Sequence, residues 1–178
     1  MKSKEFKSWG KIEKAITRFK KKQLLELIKK LYHLSSANQL FFQSFLSKQE
    51  DKLKPYKKII QDSIHPYLED NEPLNIENAQ NAVTNYKLAT NDTLGQFELL
   101  CFFVECGINF ISSYSFHEND YFEAIFVAFE DAVNIAIERP ENEQKRLQKR
   151  LYELIDSASY TGYGFQSELD IVYKRHFD

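Results

Sequence analysis

Apolar residues recur at helical spacing along almost the whole chain. In residues 20–34, Leu24, Ile28 and Leu31 lie on one stripe, with Leu25 and Tyr32 beside it. The same spacing predicts helices over 20–34, 37–47, 50–68, 93–114, 118–138, 141–159 and 165–176, and one that begins after Asn75. Period-two alternation is almost absent, and the chain has only 5 glycines and 4 prolines. The pattern predicts an all-α protein, a compact bundle of eight to nine helices.

Capping and helix-breaking residues mark the expected helix ends. The signals are Ser35 or Ser36 before the helix at 37, Pro55 in the first turn of 50–68, Pro66 at its end, the polar loop 69–74, Asn75, Asn91 or Asp92 before 93, and Pro140 after 118–138. Each side-chain cap satisfies a backbone amide that a helix start leaves free.

The predicted helix 93–114 is apolar on nearly all sides. Phe97, Cys101 and Ile108 cluster on one side, and Phe103 and Phe110 cover much of the other. Such a helix is expected to be buried by neighbours in several directions. We therefore predict that it is the central element of the bundle.

Composition indicates a globular chain with a divided charge. Its 178 residues are 43% hydrophobic and fit a single domain, 1–178. The net charge is −2, but residues 1–60 hold 16 basic and 5 acidic side chains, whereas residues 61–178 hold 8 and 21. We expect basic N-terminal helices (1–68) and acidic C-terminal helices (75–178). The basic part either binds an anionic partner or lies beside the acidic part of its own fold.

Cysteine spacing and the N-terminal pattern indicate a cytoplasmic protein. Cys101 and Cys106 lie about 140° apart on one predicted helix, so they cannot bridge each other and are expected to be core residues of a reducing compartment. We see no signal peptide, and no apolar stretch approaches the roughly 20 residues of a membrane span. No cofactor is expected.

Four polar residues are the candidates for a metal or acid–base site. Glu98 and Glu105 share one line on helix 93–114, Glu130 lies on helix 118–138, and His117 lies between the two helices. The Glu-x-x-His pattern of di-iron bundles is missing. The alternative is a solvated stripe, or one paired with N-terminal lysines. If Glu105 were buried and unpaired, its pKa would rise.

The lysine-rich N-terminus is the candidate nucleic-acid interface. Its basic residues include Lys11, Lys14, Arg18, Lys20, Lys21 and Lys22. Phe6, Trp9 and Phe19 interleave with these charges, which suits stacking on single strands but suits equally an amphipathic helix that buries the rings. Lysine also lacks the bidentate geometry with which arginine reads bases.

Two glycines one residue apart, Gly162 and Gly164, lie between the last two predicted helices. A phosphate-binding loop usually has a lysine or arginine close by. Here the next basic residues along the chain are Lys174 and Arg175, about three helical turns away. We interpret the stretch as a structural corner in which Gly162 takes a positive φ and Gly164 permits close approach of the chain.

Three stretches together resemble a known family. They are "LLELIKKLYHLSSANQLFFQSFL" (24–46), "FFVECGINFISSY" (102–114) and "TGYGFQSELDIVY" (161–173). In order and approximate spacing they resemble a bacterial all-helical family of unknown function. The resemblance implies a helical fold over nearly the whole chain, with specific structural roles for Glu105, Gly162 and Gly164, and implies no activity.

The leading functional hypothesis is a non-enzymatic protein-interaction module, with a protein as the expected partner. The alternatives are nucleic-acid binding through the N-terminal 30 residues and a metal-dependent or acid–base enzyme that uses Glu105 and Glu130. Exposed aromatic residues among Phe41, Phe42, Phe122 and Phe126 are candidates for a homodimer patch, although burial is expected for most of them.

Overall fold

The computed structural model describes residues 8–47, 52–66 and 73–178, and all regular structure in these ranges is helical. The helices are α1 (Trp9–Ile16), α2 (Lys21–Leu34), α3 (Ser36–Leu46), α4 (Leu53–Ile64), α5 (Ile76–Thr90), α6 (Thr93–Tyr114), α7 (Asn119–Ile137), α8 (Glu141–Ser157) and α9 (Phe165–Phe177). A 3-10 turn, Ala158–Tyr160, follows α8. The all-α prediction is confirmed.

Contacts between residues group the chain into two compact units, one up to Gln43 and the other from Ser44 onward. In the first unit, α1 and α2 contain no buried residue. The ring of Tyr32 on α2 packs against Phe42 of α3 at a centroid distance of 6.0 Å. Ser35 caps α3, since its Oγ accepts a hydrogen bond from the Asn38 amide. The single domain over 1–178 stays a prediction.

In the second unit, α6 is the central helix. It packs against α4, α5, α7 and α8, and α9 closes the unit against α7 and α8. Phe97 on one side of α6, and Phe103 and Phe110 on the other, are fully buried. The apolar pattern therefore predicted both the central position and the bounds of this helix correctly.

A shared hydrogen-bond network fixes the start of α6. Asp92 is the N-cap, and its Oδ1 accepts from the Gly95 amide at 3.0 Å. Its Oδ2 accepts from the buried Tyr86 hydroxyl of α5 at 2.8 Å. A Cβ at Gly95 would lie 2.1 Å from that hydroxyl, so glycine is required for space. Asn91 ends α5 with a left-handed φ of 51°, which asparagine tolerates well.

The helices α6 and α7 approach each other closely at Gly107. A Cβ at this position would lie 2.5 Å from Cγ1 and Cδ1 of Ile125. The missing side chain lets the fully buried Ile125 pack directly on the backbone of α6.

The helix α4 is shorter than the predicted 50–68; residues 50, 51, 67 and 68 lie outside the described ranges, as does most of the predicted loop 69–74. It ends at Ile64 because Pro66 disfavours helical geometry at the residue before it. Its last turn is held by neighbours: the Asn75 amide donates to the Ser63 carbonyl oxygen at 2.8 Å. The Tyr121 hydroxyl of α7 donates to the Ile64 carbonyl oxygen. Asn75 caps α5, as predicted.

By length and composition alone, α6 is apolar enough to cross a membrane, which corrects the expectation that no stretch approaches that length. However, 67% of its most apolar window is buried, which is typical of a helix in a protein core. Cys101 and Cys106 are free and buried in it. Burial raises the pKa of both thiols, that of Cys106 to about 12.

Candidate functional site

The corner between α8 and α9 contains three successive residues with left-handed backbone. The φ angles of Gly162, Tyr163 and Gly164 are 75°, 54° and 78°. The Phe165 amide donates to the Gly162 carbonyl oxygen at 3.1 Å. Positive φ at both central residues of such a turn is the type I′ pattern, which Asn-Gly normally occupies. A tyrosine at the first central position is therefore unusual.

This turn presents the Tyr163 ring, which is 76% exposed, to the start of α7. The ring packs on the imidazole of His117 at a centroid distance of 4.6 Å and lies 6.5 Å from Phe122. Phe122 in turn packs edge-on against the buried Phe165 at 5.1 Å. The corner is thus joined to α7 through aromatic rings.

A cavity of about 500 Å³ lies among these rings. One face of α7 lines it, since residues three, four and seven positions apart share a helix face. The lining residues are His117, Asn119, Phe122, Glu123, Phe126, Tyr163, Phe165 and Glu168. Four of these residues are phenylalanine or tyrosine, two are glutamates, and none is a lysine or an arginine. The cavity combines apolar walls with negative charge.

The candidate carboxylates of α6 lie elsewhere in the second unit and face basic residues of α8. The guanidinium Nη2 of Arg150 donates to Oε2 of Glu105 at 2.5 Å, and Glu98 lies beside the same guanidinium. Burial lowers the pKa of Arg150, but the hydrogen bond and charge of Glu105 outweigh this effect and raise it. Glu105 is therefore neither buried nor unpaired, because its side chain is 43% exposed and forms an ion pair with Arg150.

The other proposed metal ligands are not brought together. His117 lies at the aromatic cavity, whereas Glu130 is half-buried further along α7. Among the residues that the structure describes, no group of three His, Cys, Asp or Glu side chains is arranged to hold a metal ion. One expectation was that the carboxylates of α6 pair with N-terminal lysines. For Glu105 this is wrong, because its partner is Arg150 of α8.

The six residues that are candidates for binding nucleic acid lie on α1, on the segment that follows it and at the start of α2. Lys11, Lys14, Arg18, Lys20, Lys21 and Lys22 are all exposed. The neighbouring rings of Trp9 and Phe19 are 65% and 40% exposed. Phe6 lies outside the described ranges. These basic side chains are each accessible, and exposed apolar residues lie between them along the chain.

The structure corrects one of the two glycine roles. Gly162 has the positive φ expected of it, but a Cβ at Gly164 would meet no atom within 4 Å. Close approach therefore does not explain Gly164, whereas its φ of 78° does. Phe122 and Phe126 are half-buried walls of the cavity, in line with the burial expected for most of the four aromatic candidates, and the homodimer patch stays a prediction.

Sequence reasoning noted His117, Phe122 and Phe126 but missed their association with Tyr163 and Glu168. The available signal was the Gly-Tyr-Gly stretch itself, because alternating glycines predict left-handed backbone around the tyrosine. Comparisons with protein-family models, with curated proteins and with solved structures find no match for this chain. The resemblance to an all-helical bacterial family stays a prediction.

Proposed function

We propose that the chain is a non-enzymatic interaction module that binds an acidic protein through α2. The observation that carries the proposal is an exposed aliphatic ridge on this helix, formed by Leu25, Ile28, Leu31 and Leu34. Their exposed fractions are 55%, 43%, 43% and 74%. Exposed aliphatic side chains on a helix are the anchors that helix-in-groove ligands use, and here they follow a spiral of three-residue steps.

The geometry of the ridge favours a protein groove over a flat membrane. The four residues follow one another every three positions, and a helix turns about 100° per residue, so Leu25 and Leu34 lie about 180° apart around the axis. One plane cannot cover both side chains. A groove between two partner elements is able to contact the ridge along its length.

Charge complementarity defines the rim of that groove. Residues 8–43 contain eight basic and two acidic side chains, and Lys29 and Lys30 flank the ridge. We therefore expect acidic residues around an apolar centre on the partner. A nucleic acid would neutralise the lysines but would leave the aliphatic ridge in water, which favours a protein over this alternative.

The test begins with a photo-crosslinking residue at Lys22, next to the ridge, and identification of the captured protein. That protein is then purified and titrated against the full chain and two variants. The ridge variant is Ile28→Ser with Leu31→Ser; its matched control is Leu88→Ser with Ile171→Ser, which removes two aliphatic residues that are 66% and 57% exposed in the second unit. Far-UV circular dichroism checks that the variants keep their helices.

We expect the ridge variant to bind the purified partner at least about tenfold more weakly, and the control to bind unchanged. Equal weakening by both variants would contradict the proposal. RNA, DNA and anionic vesicles are titrated at two salt concentrations in parallel. Tight RNA or DNA binding with a steep salt slope that survives in the ridge variant would replace the proposal with the nucleic-acid alternative, and ridge-dependent vesicle binding would replace it with a membrane surface.

A further inference from the structure

We propose that the cavity between α7 and the α8–α9 corner binds a small organic ammonium ion. This site lies in the second unit and does not depend on the proposed partner of α2. Its volume of about 500 Å³ falls within the range of small-molecule pockets. The ligand class follows from three properties of the lining.

The first property is the aromatic wall. Phe122, Phe126, Phe165 and Tyr163 line the space, and the exposed Tyr163 ring packs on His117 at its edge. An ammonium ion is attracted to the negative face of an aromatic ring, and alkyl groups on its nitrogen pack against the same ring. The exposed Tyr163 ring of the turn and the half-buried Phe122 and Phe126 rings of α7 offer such contacts, whereas Phe165 is buried behind them.

The second property is the sign of the charge. Glu123 and Glu168 line the cavity, and both are exposed enough to stay hydrated without a ligand. The charged residues of α7 are all acidic: Asp120, Glu123, Glu130 and Asp131. An anionic ligand would be repelled here. A metal ion is disfavoured too, because no set of three ligating side chains occurs in the described part of the chain.

The third property is the backbone that holds Tyr163. A left-handed conformation costs a residue with a Cβ about 1 kcal/mol, and glycine or asparagine would form the same turn more easily. The tyrosine instead places its ring against His117, 4.6 Å away, at the edge of the cavity. Strained positions of this kind occur frequently at ligand sites.

The test uses choline and n-butylammonium as probes, with 3,3-dimethyl-1-butanol as the uncharged isostere of choline. Binding to the full ¹⁵N-labelled chain is followed through the amide signals of Gly162, Gly164 and Phe165. The ring is removed by Tyr163→Asn, which suits the turn and so preserves the corner. The charge is removed by Glu123→Gln with Glu168→Gln, and Glu77→Gln with Glu138→Gln is the matched control at two exposed positions away from the cavity lining.

We expect at least one ammonium probe to shift these signals at millimolar concentration. Binding should weaken about tenfold in the ring variant and in the charge variant and stay unchanged in the control. Saturation by choline but not by n-butylammonium would identify a quaternary ligand, and the reverse a primary one. Equal binding of 3,3-dimethyl-1-butanol, or no shift up to about 50 mM of either ammonium ion, would overturn the proposal.

Discussion

Asp92 both caps the central helix α6 and accepts the buried hydroxyl of Tyr86, so its replacement by alanine should act on two groups at once. Loss of the cap from the Gly95 amide costs about 1 kcal/mol. The Tyr86 side chain is fully buried, and its hydroxyl would lose the Asp92 carboxylate and keep only its contact with the Thr90 hydroxyl, at a cost of about 1–3 kcal/mol. We therefore expect Asp92→Ala to lower the free energy of unfolding by about 2–4 kcal/mol.

The second variant, Tyr86→Phe, removes the hydroxyl and keeps the ring, which packs edge-on against Tyr56 at 5.3 Å. Alone, it should cost about 1 kcal/mol for the lost hydrogen bond. In the double variant no buried donor is left without a partner, so the loss should be smaller than the sum of the two single losses by about 1–2 kcal/mol.

The assay is urea unfolding of all four proteins, followed by circular dichroism at 222 nm. Asp156→Ala is the matched control, because Asp156 is exposed on α8, and it should change the free energy of unfolding by less than about 0.5 kcal/mol. If the two single losses add within about 0.5 kcal/mol, Asp92 and Tyr86 are not coupled and the reasoning is refuted.

Two further predictions concern the core of the second unit. Gly107→Ala should lower the free energy of unfolding by about 1–3 kcal/mol, because its Cβ would lie 2.5 Å from Ile125; in the same urea assay Gly10→Ala, where a Cβ meets nothing within 4 Å, should cause no loss. Burial raises the pKa of the Cys101 and Cys106 thiols, so the unfolded chain releases their protons first: stability is full below the ordinary value of 9.0 and falls as the pH rises toward the folded pKa, about 12 for Cys106. Unfolding at pH 10 should require about 3 kcal/mol less than at pH 7, and a Cys→Ala double variant that keeps most of this pH dependence would assign it to other groups.

The positions of the helices in the second unit could be predicted from sequence, because burial of a helix imposes helical spacing on the apolar residues within that segment. The bounds of α6 were predicted well, since Asp92 supplies a local cap and the apolar pattern covers the whole helix. Only the structure distinguishes the two candidate caps of α6. Asn91 ends α5, whereas Asp92 caps α6, and both residue types are common at helix ends. The ridge of α2 carries the same apolar pattern as a buried helix, so sequence alone could not indicate that it is exposed.

The candidate sites depend on contacts between distant positions and were only partly predictable. Glu105 and Arg150 are 45 residues apart, and no spacing rule connects them. Likewise, the cavity combines the start of α7 with a turn about 40 residues later in the chain. Glu123 could be singled out by its place on a helix face, but Tyr163 became a candidate only when its φ and its contact with His117 were visible.

The central position of α6 has a consequence for synthesis of the chain. When α6 has just emerged from the ribosome, the helices α4 and α5 are able to cover one side of it, while α7 and α8 are still in the exit tunnel or not yet made. Phe110 and Ile108 then lack part of their shielding on a segment whose length and composition satisfy those of a membrane span. We expect a nascent chain at this stage to be a substrate for ribosome-associated chaperones. A chain truncated after Tyr114 should aggregate.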